Sequence, residues 1–264
     1  MSFLQDSFAT IIPLLLNVCI FLGLNTVVSA ATAGTYTVPS GFMALLSAPL
    51  NALVSVPGIF ILCTLASLLW CFGIHGVMVI LPIVMPLAIQ ASTANAAAHA
   101  AGKPLVVYPI LLMGGLSMVG GSGNTLPLAL LGLRSKSKQI SAVARISAIP
   151  GWFNINEPLT FGLPIMYNPI LCIPYVLNVP VVILLTYLGY KTGFIIPSWI
   201  TITAMLPMGF SGYLSTLNWR NALWDYLMII PTTLIYYPFF KIYEKQLIAK
   251  EAEVEKLEAE ATQD

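Results

Sequence analysis

Two ionisable side chains stand where few others do. Glu157 lies in Phe153-Asn154-Ile155-Asn156-Glu157-Pro158 and is the sole carboxylate between Asp6 and Asp225. An acid at membrane depth is a functional-site hypothesis by default, because its ionised form needs donors or a cation to hold it. Pairing with Arg145 at a cytoplasmic surface is the structural alternative. His75 sits in Trp70-Cys71-Phe72-Gly73-Ile74-His75-Gly76, an imidazole between two glycines where the backbone can bend and approach a ligand. A neighbouring carbonyl that satisfies the ring is the alternative there. A third candidate is Gly114-Gly115 with Gly120-Gly121-Ser122-Gly123-Asn124-Thr125. No Gly-Lys-Ser/Thr follows these glycines, so they do not read as a phosphate loop. They read as a re-entrant hairpin tip whose free N–H groups, with Asn124 and Thr125, can bond a polar solute. Amide, carboxylate and imidazole groups beside the flat faces of Trp70, Trp152 and Trp199 suit sugar hydroxyls and sugar C–H faces. The sequence offers neither the acid rings of a cation channel nor an intramembrane cation cluster for anions.

The surrounding composition explains why these residues stand out. Of 264 residues, 58% are hydrophobic and 8% charged, and the net charge is +1. A soluble domain carries about 25% charged residues. So little charge cannot cover a globular surface, and it provides no basic footprint for nucleic acid. The chain reads as an all-α polytopic membrane protein in a lipid bilayer. Ser7 to Gly102 contains no Asp, Glu, Lys or Arg. Cys19, Cys63, Cys71 and Cys172 sit in apolar runs without a CxxC pair and read as small buried hydrophobes. His99, among alanines beside Lys103, reads as a surface loop residue.

About five stretches are long enough to cross: 7–28, 53–72, 164–190, 194–213 and 221–240. The segment 77–90 is shorter and holds Pro82 and Pro86, and 105–133 is broken by glycines. Such pieces read as discontinuous elements, giving two re-entrant hairpins; irregular backbone at that depth must be covered by protein or line a wet cavity. Arg134, Lys136, Lys138 and Arg145 form an unbalanced basic loop, which the positive-inside rule places in the cytoplasm. Residues 1–240 read as one membrane domain, and 241–264 as a charged helical tail extending the last span into solvent. Leu247, Val254 and Ala261 repeat every seven residues, too briefly for a coiled coil.

Taken in order, several motifs carry a resemblance. Phe72-Gly73-Ile74-His75-Gly76, Gly120-Gly121-Ser122-Gly123-Asn124-Thr125, Arg134-Ser135-Lys136, Pro150-Gly151-Trp152-Phe153-Asn154-Ile155-Asn156-Glu157-Pro158, Phe161-Gly162-Leu163-Pro164, Asn218-Trp219-Arg220 and Tyr236-Tyr237-Pro238-Phe239-Phe240-Lys241 together resemble the IIC permease of the lactose/cellobiose/diacetylchitobiose phosphotransferase family. The resemblance implies a bacterial cell-membrane subunit that carries a β-linked disaccharide such as cellobiose or diacetylchitobiose. It implies presentation of that sugar to the phosphorylated cysteine of a IIB subunit, itself charged by IIA. It further implies that Glu157 orients or deprotonates the accepting hydroxyl with His75 as partner, and that Asn156, Asn124, Trp70 and Trp199 contact the sugar. No cofactor, metal or phospho-residue on the chain is implied, and the charged tail is expected in the cytoplasm. Family members usually have several more helices before Ser7-Phe8, in a half that forms the usual dimer contact. The chain thus reads as the transport half, with a homodimer or a separate amino-terminal half as possible assemblies. A non-transporting remnant or an interaction-only membrane protein is the competing reading.

Overall fold

In the computed structural model, residues 2–41, 44, 54–113, 118–202, 204 and 206–261 are described, the side chains from residue 11 onward. Gly114-Gly115 lies outside them. The described secondary structure is helical. Helix α1 (Ser2–Ala31) belongs to a unit spanning Met1–Leu53. The second unit, Val54–Asp264, carries α2 (Val56–Cys71), α3 (Gly76–Ala100), a 3-10 turn at Pro109–Met113, α4 (Leu126–Gly132), α5 (Lys138–Trp152), α6 (Glu157–Gly162), α7 (Pro169–Lys191), α8 (Phe210–Leu214), α9 (Trp219–Leu227) and α10 (Ile229–Ala261).

Among the described residues, three helical segments are long and apolar enough to cross a membrane: Ile11–Ala31, Gly76–Ala100 and Pro169–Lys191. The 16-residue α2 and the first half of α10 are the further apolar helices. One expectation is corrected here. Segment 77–90 is not a broken piece but part of the continuous 25-residue α3, with Pro82 and Pro86 inside it. In an apolar bundle, neighbouring helices and local adjustment absorb the lost backbone bonds.

A second expectation is corrected as well. Residues 194–213, expected to cross, form no long helix among the described residues: Gly193 and Gly209 have φ of 70° and 88°, Pro197 and Pro207 interrupt the run, and only the short α8 forms there. Segment 105–133 is likewise divided between the 3-10 turn, a glycine-rich loop and α4. Asn95, fully buried near the end of α3, holds two of these irregular strands. Its amide donates to the carbonyls of Val106 and Ser198, and its oxygen accepts from Val106 N–H. This is how backbone without helical partners is satisfied where water is scarce.

The core has two main parts. Leu128, Ile140, Leu159, Leu171, Tyr175 and Tyr236 pack one of them, which binds α4, α5, α6, α7 and α10 together. Ile59, Ile110, Leu112, Ile183 and Ile195 pack the other, between α2, α3 and α7. The crossing of α2 and α3 is close. A Cβ on Gly76 would fall inside contact distance of the Ala66 backbone, so this position admits no side chain. The tail is no separate element: α10 runs unbroken from Ile229 through the charged residues to Ala261.

Candidate functional site

The site forms where α2 ends, α3 begins and α5 turns into α6. His75 is the residue before α3, and its Nδ1 accepts a hydrogen bond from Met78 N–H at 3.3 Å. A ring nitrogen that accepts carries no proton, so the neutral imidazole bears its hydrogen on Nε2. That Nε2 lies 3.8 Å from Glu157 Oε1. The side chains of His75 and Glu157 are 32% and 44% exposed, so both reach open space. The structure brings Glu157 to His75, not to Arg145 as in the alternative sequence reading.

Aromatic groups wall this pair. The Trp70 ring lies 4.3 Å from that of His75, tilted by 50°, and Phe161 meets Trp70 edge-on at 6.3 Å. Trp70 is buried, and its indole N–H has no hydrogen-bond partner among the described residues. The turn between α2 and α3 is tied to the chain beyond α6. Tyr167 N–H donates to Cys71 C=O at 2.9 Å, and Tyr167 Oη to Phe72 C=O at 2.8 Å.

Each polar residue of the Asn-Ile-Asn-Glu run has a different task. Asn154, in the left-handed region at φ 61°, accepts the Gly120 and Gly121 N–H groups at 2.8 and 3.3 Å. Asn156 donates to Ser122 C=O, Thr160 Oγ1 and Tyr175 Oη. Glu157 is left to face His75. The backbone geometry of the glycine loop requires glycine: Gly121 has φ 79°, and a Cβ there would lie 2.7 Å from Asn154 O.

The structure separates the remaining sequence candidates from that pair. Asn156 and Asn124 are 4% and 2% exposed. Asn124 Oδ1 accepts from Val119 N–H at 2.8 Å, and its amide donates to Asn178 C=O at 3.4 Å. Both asparagines are thus spent on shaping the loop. Trp199 stacks on His99 at 3.9 Å and donates its indole N–H to Thr216 C=O. His99 lies in the last turn of α3, not in a loop, while His75 precedes the first. A helix of that length separates them by ~36 Å at 1.5 Å per residue, so Trp199 cannot share a small solute with Glu157.

Sequence reasoning assigned no role to Asn154, Tyr175 or Phe161. Asn154 and Phe161 were visible within the motifs themselves. Nothing local marks Tyr175, whose hydroxyl meets Asn156 from the middle of α7. A partly open, mainly apolar pocket beside the glycine loop, lined by Cys63, Ser67, Ser122, Asn124 and Val179 among others, has a volume of about 60 Å³ and touches neither His75 nor Glu157. The open cleft of His75, Glu157 and Trp70 is the candidate site.

Comparison with known proteins finds relatives over most of the chain. The family model described as "Phosphotransferase system, EIIC" matches residues 1–178. The chain is 34% identical over 225 residues to the lichenan permease IIC component of Bacillus subtilis, covering 83% of this chain and 50% of that protein. It is 38% identical over 226 residues to the galactose-specific EIIC component of Lactococcus lactis, covering 80% and 48%. The crystal structure of ChbC, the IIC component from the N,N'-diacetylchitobiose-specific phosphotransferase system, superposes with a TM-score of 0.76 at 31% identity, covering 96% of this chain and 59% of that one. The chain spans about half the length of the curated relatives it matches. With the family model matching well over half of its residues, the chain belongs to the EIIC family of phosphotransferase-system membrane permeases.

Proposed function

We propose that the chain binds a β-linked disaccharide in the His75–Glu157 cleft and presents one hydroxyl for phosphorylation by a phosphorylated IIB partner, itself supplied by IIA. The observation that carries this reading is the approach of His75 Nε2 to Glu157 Oε1 at 3.8 Å beside the Trp70 ring. That gap exceeds a direct hydrogen bond. A sugar hydroxyl entering it donates to the carboxylate and accepts from the imidazole N–H. As the sulfur–phosphorus bond of phospho-IIB breaks and the oxygen–phosphorus bond forms, the hydroxyl proton passes to Glu157. The exposed ring of Phe161, set edge-on against the buried Trp70, takes the sugar's C–H surface. Asn154, Asn156 and Asn124 are positioning residues that fix the loop against which Glu157 is held.

The names of relatives support the sugar class. One is a cellobiose-specific EIIC component from Geobacillus stearothermophilus, and another an oligo-beta-mannoside-specific EIIC component from Bacillus subtilis. A lactose-specific EIICB component from Streptococcus mutans supports a IIB partner. The charged tail and the basic loop lie in the cytoplasm in this reading, facing that partner.

The test uses membranes containing the full chain with IIA, IIB and a phosphoryl donor. Cellobiose-like sugars are phosphorylated by the wild type, and Glu157→Gln lowers the rate by at least about a hundredfold, the usual worth of one positioned proton acceptor. Unchanged phosphorylation in Glu157→Gln overturns the role of Glu157. Absence of saturable disaccharide binding to the purified wild type favours a non-transporting membrane protein.

A further inference from the structure

The charged tail is bound to the loop that starts α5. Glu244, 6% exposed, accepts from Ser135 Oγ at 2.6 Å and from Lys136 N–H at 3.1 Å. One heptad later, Glu251 accepts from Ser137 Oγ, Lys138 N–H and Gln139 N–H at 2.7, 3.1 and 3.0 Å. Lys138 Nζ also meets Glu255. Glu251 satisfies the first-turn N–H groups of Lys138 and Gln139, which lack partners within α5, at the positive end of its dipole, and Glu244 holds the loop just before the N-cap. Ser137 caps the same helix end by accepting Ile140 N–H.

The same α10 is pinned at a second point. Tyr236, fully buried, donates its hydroxyl to Gly123 C=O at 2.7 Å. The glycine loop that holds Gly123 is gripped in turn by Asn154 and Asn156, just past the far end of α5. From residue 236 to residue 251 α10 rises ~22 Å, and from 138 to 152 α5 rises ~21 Å, both at 1.5 Å per residue. Two helix lengths that match are therefore joined at both ends, with α4 packed on both helices.

We propose that the α10 tail is a strut: Glu244 and Glu251 hold the start of α5 so that its other end, the Trp152–Glu157 elbow, stays at a fixed height relative to the glycine loop. The inference rests on the elbow being the sugar site. Glu244 and Glu251 are positioning residues that touch no substrate. Removing them lets α5 slide along α4, and the elbow loses register with Gly120, Gly121 and Ser122. The low pKa of both carboxylates agrees with bonds made by their ionised form.

The test is amide hydrogen exchange on the purified full chain, comparing wild type, Glu244→Ala/Glu251→Ala and Glu244→Gln/Glu251→Gln. In the alanine variant, exchange rises about tenfold or more at 136–140 and also at 152–157, while α3 and α7 keep their protection. The glutamine variant, which keeps an acceptor oxygen, recovers most of the protection. Alanine at the exposed Glu253 and Glu260 changes neither segment. A rise confined to 136–140, or a uniform rise along the chain, overturns the strut. This readout needs neither IIB nor sugar, so it stands apart from failure of the phosphorylation assay. In that assay the alanine variant lowers kcat and leaves KM for the sugar within about twofold; a change in KM alone also overturns the proposal.

Discussion

At the residue scale, the site depends on which polar atoms are already committed. Asn124, Asn154 and Asn156 have partners in the protein, whereas Glu157 and His75 face one another at 3.8 Å, beyond a direct hydrogen bond, where a hydroxyl set to one side can reach both. Trp70 differs again: it is buried with its indole N–H unpaired. An unmade hydrogen bond at a buried donor has a cost, and a phenyl ring removes that donor. Trp70→Phe should therefore retain the wild-type melting temperature within a few degrees. Because the buried Trp70 ring backs His75 at 4.3 Å, the smaller ring should loosen His75 and weaken disaccharide binding by roughly threefold to tenfold, in line with about 1 kcal/mol of lost aromatic contact. Titration of sugar binding against thermal unfolding checks both halves. A large fall in melting temperature would assign Trp70 to packing alone.

At the element scale, most helices were legible from apolar length, and their interruptions from Gly and Pro. Two segments differ: 194–213, apolar enough in length, is broken at Gly193, Gly209 and its prolines, and α3 runs on through its own prolines, because proline inside an apolar bundle does not end a helix when neighbouring elements cover the break. The partner of the charged tail was not legible. Its glutamates alternate with lysines and read as a solvated face, but Glu244 and Glu251 cap the loop before α5. Burial alone would raise the pKa of Glu244, but bonds from Lys241, Ser135 and the Lys136 N–H outweigh it and hold it below its ordinary 4.5. Glu251 is likewise held low, with burial opposed by the Gln139 and Lys138 N–H groups and the Ser137 hydroxyl. A carboxyl group with a depressed folded-state pKa stabilises the fold above its unfolded value, and that contribution fades as pH falls through the folded value. The clamp is thus at full strength at neutral pH and weakens only as pH falls below about 4.5, toward the strength that a neutral acceptor oxygen leaves it. Limited proteolysis of the tail should accelerate modestly below pH 4.5 and hold constant between pH 7 and pH 5. The Glu244→Gln/Glu251→Gln variant should lose that pH dependence.

At the scale of the whole molecule, direct contact between tail and loop places both on one side of the membrane. Ser135 to Gln139 and Glu244 to Glu255 cannot bond across a bilayer. The proposed function puts that shared side in the cytoplasm, where the cations at Arg134, Lys136, Lys138 and Arg145 would hold it. A protease-cleavable tag added after Asp264 should be cut in inside-out vesicles and protected in intact cells. Cleavage from outside would invert the assignment and remove the tail from the side where a IIB partner works.

The sequence by itself determined the solvent and the suspects. With 8% charged residues, the chain needs lipid around it, and one isolated glutamate and one glycine-flanked histidine are conspicuous in it. Only the tertiary structure decided their company. It joined residues 75 and 157, consumed Asn124 and Asn156 in the loop, and sent Trp199 to the opposite end of α3. It also turned a solvated tail into a clamp. The physical reason is range. Hydrophobic content is a local property that a window of residues reveals, whereas hydrogen-bond partners here lie tens of residues apart, and only packing brings them within 3 Å.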